Sequence, residues 1–486
     1  MSTIFPYEFK RKFSTSLYKN LKLPLGEMSF ARDFAHTKRG DLYPVLDAAG
    51  EYTETVGGGK YHFDGSDATL SRLLGGFFPY ATYEAVIDDI DGGVGFVFTN
   101  DSVFASVVLS KSSEGASVTF SETDKESQIF ELKGFEEKDA FIVSARLGNF
   151  DVFTRKPDGY AVHAVSFTSE AFKNSIDYEF FSETVAAISL LGKITLSSVD
   201  FYIDSGIAQA DIRPVRYENG DIMEEDGKIF LSASIRTWHE KFQGIFSWVP
   251  GTMEFALTGA LFFDCGDGRW EGDVASSIIY NRKSGEFYVW MCAFSHGHIL
   301  GHGISKGDLR YGVNVLDVTL MKALKDGDEI TEFLGKTNDE DPDFIYDENS
   351  GKWYMSICRI GEGGNYRYHF FESDSPFDGY KCIGYAKDGC ETGGSIVKTD
   401  DGLIFVCGSD FKKRSVYHVY KFGNFSEHDF LTYDYDDGGF RGWGTIIPFF
   451  RGSRKVYYQI TFDRHNGSDY NWSYGNVYCF EGKKIK

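Results

Sequence analysis

The chain has 486 residues, 42% of them hydrophobic, enough for two or three domains of about 100–200 residues each and too apolar for global disorder. A formal net charge of −22 argues against nucleic acid and anionic membranes as partners and leaves neutral ligands such as sugars open. Aromatic residues at 17%, 54 glycines and only 10 prolines are the profile of a β-rich protein with many turns.

The first segment, MSTIFPYEFKRKFSTSLYKN, carries charges where a secretory leader needs an apolar stretch, and no apolar run of about 18 residues follows anywhere. The seven cysteines (Cys265, Cys292, Cys358, Cys382, Cys390, Cys407 and Cys479) include no Cys-x-x-Cys pair and read as free thiols. Together these features predict a cytoplasmic protein. Residues 1–75 have no clear period and are expected to supply edge strands. From about 76 to 205, YATYEAVIDD, GVGFVFTN, FASVVLSK, AFIVSARLG and AISLLGKITLSSVDFYID alternate apolar and polar positions between turns. This pattern predicts a β-sandwich over residues 1–207. Its last segment, ending VDFYIDSG, resembles the closing strand of jelly-roll modules of the concanavalin or laminin-G type. His36, His62 and His163 are scattered through this half and read as solvent or core histidines.

From about residue 208 a repeat appears. A constant shift superposes SSIIYNRKSGEFYVWMC on PDFIYDENSGKWYMSIC, Tyr280 falling on Tyr346, Gly285 on Gly351 and Tyr288 on Tyr354. The unit is an apolar strand, a short turn ending in Gly, and an aromatic strand. It recurs around Gly402 and Phe405, around Tyr457, and around Gly227 and Phe230. Five such units, with outer strands from the intervening stretches, predict an all-β chain whose residues 208–486 form a five-bladed β-propeller. A propeller brings the first strand of every blade to one axis, so residues at the entrances of those strands converge.

Read off the repeats, the entrance residues are Asp211 and Arg213; Arg269, Trp270, Glu271 and Asp273; Asp341 and Asp343; Glu391; and Arg441 and Trp443. Several carboxylates around one funnel suit glycosidic bond cleavage. One protonated carboxyl gives a proton to the leaving oxygen, and a second carboxylate attacks the anomeric carbon or activates water. A third can hold the acid protonated, since like charges raise each other's pKa. Trp238, Trp270 and Trp443 are available to stack on sugar rings. In FSHGHILGHG, alternation on a strand would put His296 and His298 on one face, and His296 is taken as a substrate contact. No transition-metal ligand set and no required cofactor are assigned; an axial calcium or sodium ion would suit the carboxylates.

At DPDFIYDENSGKWYMSI the second half resembles the five-bladed glycoside hydrolases of families 43 and 32. The resemblance implies a furanosidase-type hydrolase acting on a glycoside or oligosaccharide, such as one of arabinofuranose or fructofuranose. It implies Asp211 as base or nucleophile, Asp343 as the residue that orients substrate and tunes the acid, and Glu391 as general acid. Asp221, Glu271 and Asp273 are rivals for the same places. Two other readings stay open: a carbohydrate-binding protein without turnover, and a phosphorylase or transglycosylase using Arg213, Arg269 and Arg441 as a phosphate pocket.

Overall fold

The computed structural model describes residues 4–25, 34, 42, 44–321, 338–360, 366–387, 391–409, 417–433, 440–463 and 475–485. The chain divides into two compact units, Lys22–Asp204 and Met1–Leu21 together with Ser205–Lys486. Among the described residues no helix is long and apolar enough to cross a membrane.

The unit Lys22–Asp204 carries one twelve-stranded sheet rather than the two separate sheets expected of a jelly roll. Its spine is the pair Thr82–Thr99 and Val185–Asp204, matched along most of their length. The first half of Thr82–Thr99 also pairs with Ala140–Arg146, and its second half with Phe104–Ser112. Phe98 stacks on Phe150 at 5.2 Å and Phe120 on Phe167 at 5.1 Å, so the two regions of the sheet face each other across an aromatic core. The sequence breaks this strand in two at IDDIDGGVGF because Gly92 interrupts the alternation. Gly92 lies opposite Gly192, and a Cβ on Gly92 would sit 2.1 Å from the Leu191 carbonyl oxygen. Only glycines let the two backbones approach this closely where the sheet bends.

The other unit is the five-bladed propeller. Its inner strands are Ala208–Pro214, Val274–Asn281, Asn338–Asp347, Glu391–Thr399 and Phe440–Arg451, each followed outward by three antiparallel neighbours, to which blades one and five add a parallel outermost strand, Gly312–Asp317 and Thr432–Tyr433. The turns follow the repeat. Gly285 N–H donates to the Asn281 carbonyl at 2.8 Å, and Gly351 N–H to the Asp347 carbonyl at 2.8 Å, both glycines being left-handed (φ 73° and 70°). Even the tyrosines repeat: Tyr288 donates to Ser284 Oγ and Tyr354 to Ser350 Oγ, each at 3.2 Å.

Inner strands are apolar at successive positions because both faces are buried. Ile278 joins the core between blades one and two, whereas Ile279 joins the core between blades two and three. Phe344 and Ile345, then Ile396 and Val397, are divided in the same way between successive cores. The ring is closed by the first residues of the chain. Tyr7–Thr15, read from sequence with the sandwich, pairs antiparallel with Val477–Lys484 as an outer strand of blade five. Phe9 is fully buried there, and Phe13 meets Phe255 of blade one at 6.3 Å. The first blade also departs from the repeat: its inner strand is Ala208–Pro214, well ahead of the Gly227 turn, so Asp211 lies within the strand.

Candidate active site at the propeller axis

Every inner strand has a register break, between Ala210 and Arg213, Val274 and Ser277, Glu340 and Asp343, Thr392 and Ser395, and Phe440 and Gly444. In the first four the bulged residue is left-handed: Asp211 (φ 51°), Ala275 (60°), Asp341 (51°) and Gly393 (62°). Asp tolerates this backbone better than most side chains, and bulges re-aim the residues around them. Strained backbone of this kind is held where the surrounding structure over-determines it.

The bulges also present inner-strand carbonyls to the axis, and two arginines collect such groups: Arg213 of the blade-one inner strand, and Arg216 of Arg216–Tyr217, a short strand paired parallel to the inner strand of blade two. Arg213 donates to Ala275 O at 3.3 Å, Pro342 O at 2.8 Å, Asp341 O at 3.3 Å and Gly394 O at 3.0 Å. Arg216 donates to Ile396 O at 2.7 Å, to Phe344 O at 3.1 Å and to the Asp343 carboxylate. Through Arg213, backbone carbonyls of blades two, three and four are tied to blade one.

At the bulges a cavity of about 300 Å³ is lined by Asp211, Ala275, Glu340, Asp341, Thr392 and Trp443, with Arg236, Lys241, Phe294, His298 and Tyr366 completing the wall. Ser234 Oγ donates to Asp211 Oδ2 at 2.7 Å. Asp341 Oδ2 accepts from Gly393 N–H at 3.0 Å and from Thr392 Oγ1 at 3.2 Å. Burial, then the negative charges of Asp211 and Glu340, push the Asp341 carboxyl up to about 7, against the opposing pull of Arg213 and the Gly393 N–H. His298 Nε2 stands 3.3 Å from Glu340 Oε1, and its ring lies 4.5 Å from that of Phe294.

Three of the residues singled out from sequence therefore line one cavity: Asp211, Asp341 and Trp443. The others are placed elsewhere. Asp343 is fully buried and saturated, accepting from Arg216, Ser277 Oγ at 2.6 Å, Ser395 Oγ at 3.0 Å and Ile396 N–H at 2.7 Å. It ties blades together and does not reach the cavity. Arg213 is equally committed, to carbonyls rather than to substrate. The column expected to suit calcium or sodium is thus held by two guanidinium groups. Glu391 turns into its own blade, where Oε1 accepts from His418 Nδ1 at 2.6 Å and from the Tyr420 hydroxyl.

Trp238, Trp270, Glu271, Asp273 and His296 lie off the cavity wall. Asp273 is bound by Ser295 N–H at 3.0 Å and Ser295 Oγ at 2.6 Å, and Glu271 pairs with Arg269 at 3.2 Å. Asp221, the rival to Asp211, pairs with Lys398 at 2.9 Å and is also off the wall. The side chain of Arg441 and all of Cys390 lie outside the described residues; no disulfide joins the six described cysteines. The three clustered histidines diverge. Phe294–His296 is a 3₁₀ turn that ends at left-handed Gly297, which separates His296 from His298. His302 stacks on Phe377 at 4.6 Å, and burial pushes it down to about 4.

Sequence reasoning set His298 beside His296 and took His296 as the contact, and it left Glu340, next to Asp341, without a role. Arg236 and Lys241 flank the turn between the second and third strands of blade one, which opens at the same end as the strand entrances. Inspecting those turns as well as the entrances would have found them. The described groups able to surround a cation are Cys265, Asp273 and His296 in one place and Glu391, Cys407 and His418 in another.

No family model matches the sequence, and no curated protein matches it. Similar solved structures include an exo-β-1,3-galactanase from Clostridium thermocellum, at 12% identity over 56% of this chain and 62% of that one, TM-score 0.39. They also include the catalytic domain of a Coprinopsis cinerea GH62 α-L-arabinofuranosidase (10% identity, 57% and 91% covered, TM-score 0.38) and a GH43 β-1,3-galactosidase with galactodeoxynojirimycin (11%, 55% and 93%, TM-score 0.38). The chain spans less than two thirds of the length of the galactanase.

Proposed function

We propose that the axial cavity binds a glycoside and hydrolyses its glycosidic bond, with Asp341 as general acid and Asp211 as base or nucleophile. The observation that carries this is the pairing of Asp211 and Asp341 on one cavity wall, with Asp341 raised to about 7. A carboxyl near that value keeps a proton at neutral pH and can deliver it to a leaving oxygen. Glycoside hydrolysis needs such a pair, held in different environments. Asp211, oriented by Ser234, acts on the anomeric carbon directly or through water. Trp443, Phe294 and Tyr366 give apolar ring faces to the same wall, suited to the faces of a sugar.

The test is a screen of chromogenic pyranosides and furanosides with native protein, Asp341→Asn and Asp211→Asn. Turnover of at least one glycoside that falls by about 10²–10⁴ in each variant is the expected result. Full activity in Asp341→Asn removes it from the acid role. Arg236 and Lys241 on the same wall favour a second reading, in which phosphate replaces water as the acceptor; turnover that requires inorganic phosphate would select it.

A further inference from the structure

We infer that blade four contains a binding site for a borderline divalent cation of the zinc class, built from Glu391, Cys407 and His418. The three residues come from three successive strands of one sheet, Glu391–Thr399, Gly402–Ser409 and Tyr417–Lys421. Cys407 and His418 are direct cross-strand partners. One ligand atom from each residue lies within 4.8 Å of the other two, and the residues are 0%, 0% and 7% exposed.

A second observation points to a ligand. Among the described residues Glu391 Oε2 is buried without a hydrogen-bond partner, whereas Oε1 takes two donors. A buried carboxylate oxygen left in that state is costly, and a cation satisfies it. The alternative cluster of Cys265, Asp273 and His296 lacks this feature, since both Asp273 oxygens are engaged by Ser295.

The donor set selects the ion. Sulfur, imidazole nitrogen and carboxylate oxygen suit zinc-like divalent ions, whereas calcium and magnesium take oxygen ligands. The Tyr420 hydroxyl orients the carboxylate from its other oxygen, and His428 stacks on the His418 ring at 4.5 Å. The first is the kind of supporting hydrogen bond that ligating carboxylates use. On loading, the Cys407 thiol gives its proton to solvent and sulfur binds as thiolate, so binding strengthens with pH. Glu391 directly precedes Thr392 and Gly393, which hold Asp341, so the cation would brace the strand end behind the cavity. The inference rests on blade four alone, and its test reads metal rather than turnover; the proposed hydrolase could fail while this site stands.

The experiment titrates chelator-treated full-length protein with Co²⁺ alone. The expected result is binding of a single ion per chain with a near-ultraviolet thiolate-to-cobalt charge-transfer band, displaced by Zn²⁺. The band should vanish in Cys407→Ser and persist in Cys265→Ser. Zn²⁺ affinity should fall by more than about 100-fold in Glu391→Gln, a neutral isostere that keeps the blade filled, and by about 10-fold or more in Tyr420→Phe. Absence of the band in native protein, its survival in Cys407→Ser, its loss in Cys265→Ser, or unchanged affinity in Glu391→Gln would each overturn the site.

Discussion

Asp341→Asn should make the protein more stable at neutral pH and, on the proposed chemistry, inactive. The Asp341 carboxyl titrates near 3.8 when unfolded and near 7 in place. Below pH 3.8 both states hold the proton and the residue contributes nothing to the pH dependence. As pH rises toward 7 the unfolded chain gives the proton up while the folded one retains it, so the folded state binds more protons and stability falls. The full penalty is present above pH 7. About three pKa units at 1.36 kcal/mol each set its ceiling on the order of 4 kcal/mol. Asn cannot ionise, yet its side-chain oxygen can still accept from Gly393 N–H and Thr392 Oγ1. Urea unfolding of native protein and Asp341→Asn at pH 4 and pH 8 measures the difference. The variant should gain stability relative to native protein between the two, by at least about 1 kcal/mol, while losing turnover. A pH-independent difference, or a variant less stable at pH 8 than at pH 4 relative to native protein, would refute the claim that like charges and burial hold this proton.

Ser234→Ala removes a 2.7 Å hydrogen bond to the Asp211 carboxylate and the acceptor of the Ala275 N–H; it should lower kcat/KM by about ten- to a hundredfold, the worth of one hydrogen bond to a charged group, and lower the urea midpoint modestly, with an unchanged circular dichroism spectrum as the control for folding. Arg213→Met leaves four axial carbonyls without their donor and should cost about 3 kcal/mol or more in urea unfolding, a loss that a surface substitution such as Lys352→Met would not produce. Trp443→Ala should raise KM for a glycoside substrate more than it lowers kcat, read from steady-state kinetics, because its ring offers binding surface and no proton.

The blade repeat was legible because the hairpins of blades two and three meet the same demands with the same residues: Asn or Asp to open the turn, a left-handed Gly to close it, a tyrosine to return to a turn serine. Tyr280, Gly285 and Tyr288 against Tyr346, Gly351 and Tyr354 record those demands in the sequence itself. Asp211 and Asp341 were legible as members of a converging set. Their partnership was not, because it depends on a bulge. An extra residue in the strand reverses the parity of side chains on either side of it. Asp341 therefore reaches the cavity while Asp343, two residues on, is taken up by Arg216, Ser277 and Ser395. Glu391 was misplaced for the same reason. It precedes the blade-four bulge and faces His418 and Tyr420, and its neighbour Thr392 reaches the wall instead. The closing strand Tyr7–Thr15 left no local trace, since nothing in YEFKRKFST says which distant edge it will complete.

The repeated bulge ties the fold to its chemistry. Each blade's sheet ends at the axis, and a bulge in its inner strand turns carbonyls inward, where Arg213 collects them from three blades. The same backbone device fixes a set of equivalent positions around the mouth of the axis. What fills them is free to differ: Asp211 and Asp341 in blades one and three, Ala275 in blade two, Gly393 in blade four. Gly393 is required on its own account, because a Cβ there would meet Trp443 at 2.5 Å. The blade with no side chain at the bulge thus makes room for the aromatic face of the next, and its N–H is left to bond Asp341. A requirement of propeller closure, that axial backbone groups find partners, has in this chain produced two carboxyl groups in unlike surroundings. One is fastened by a serine. The other is crowded by burial and negative charge until it keeps its proton.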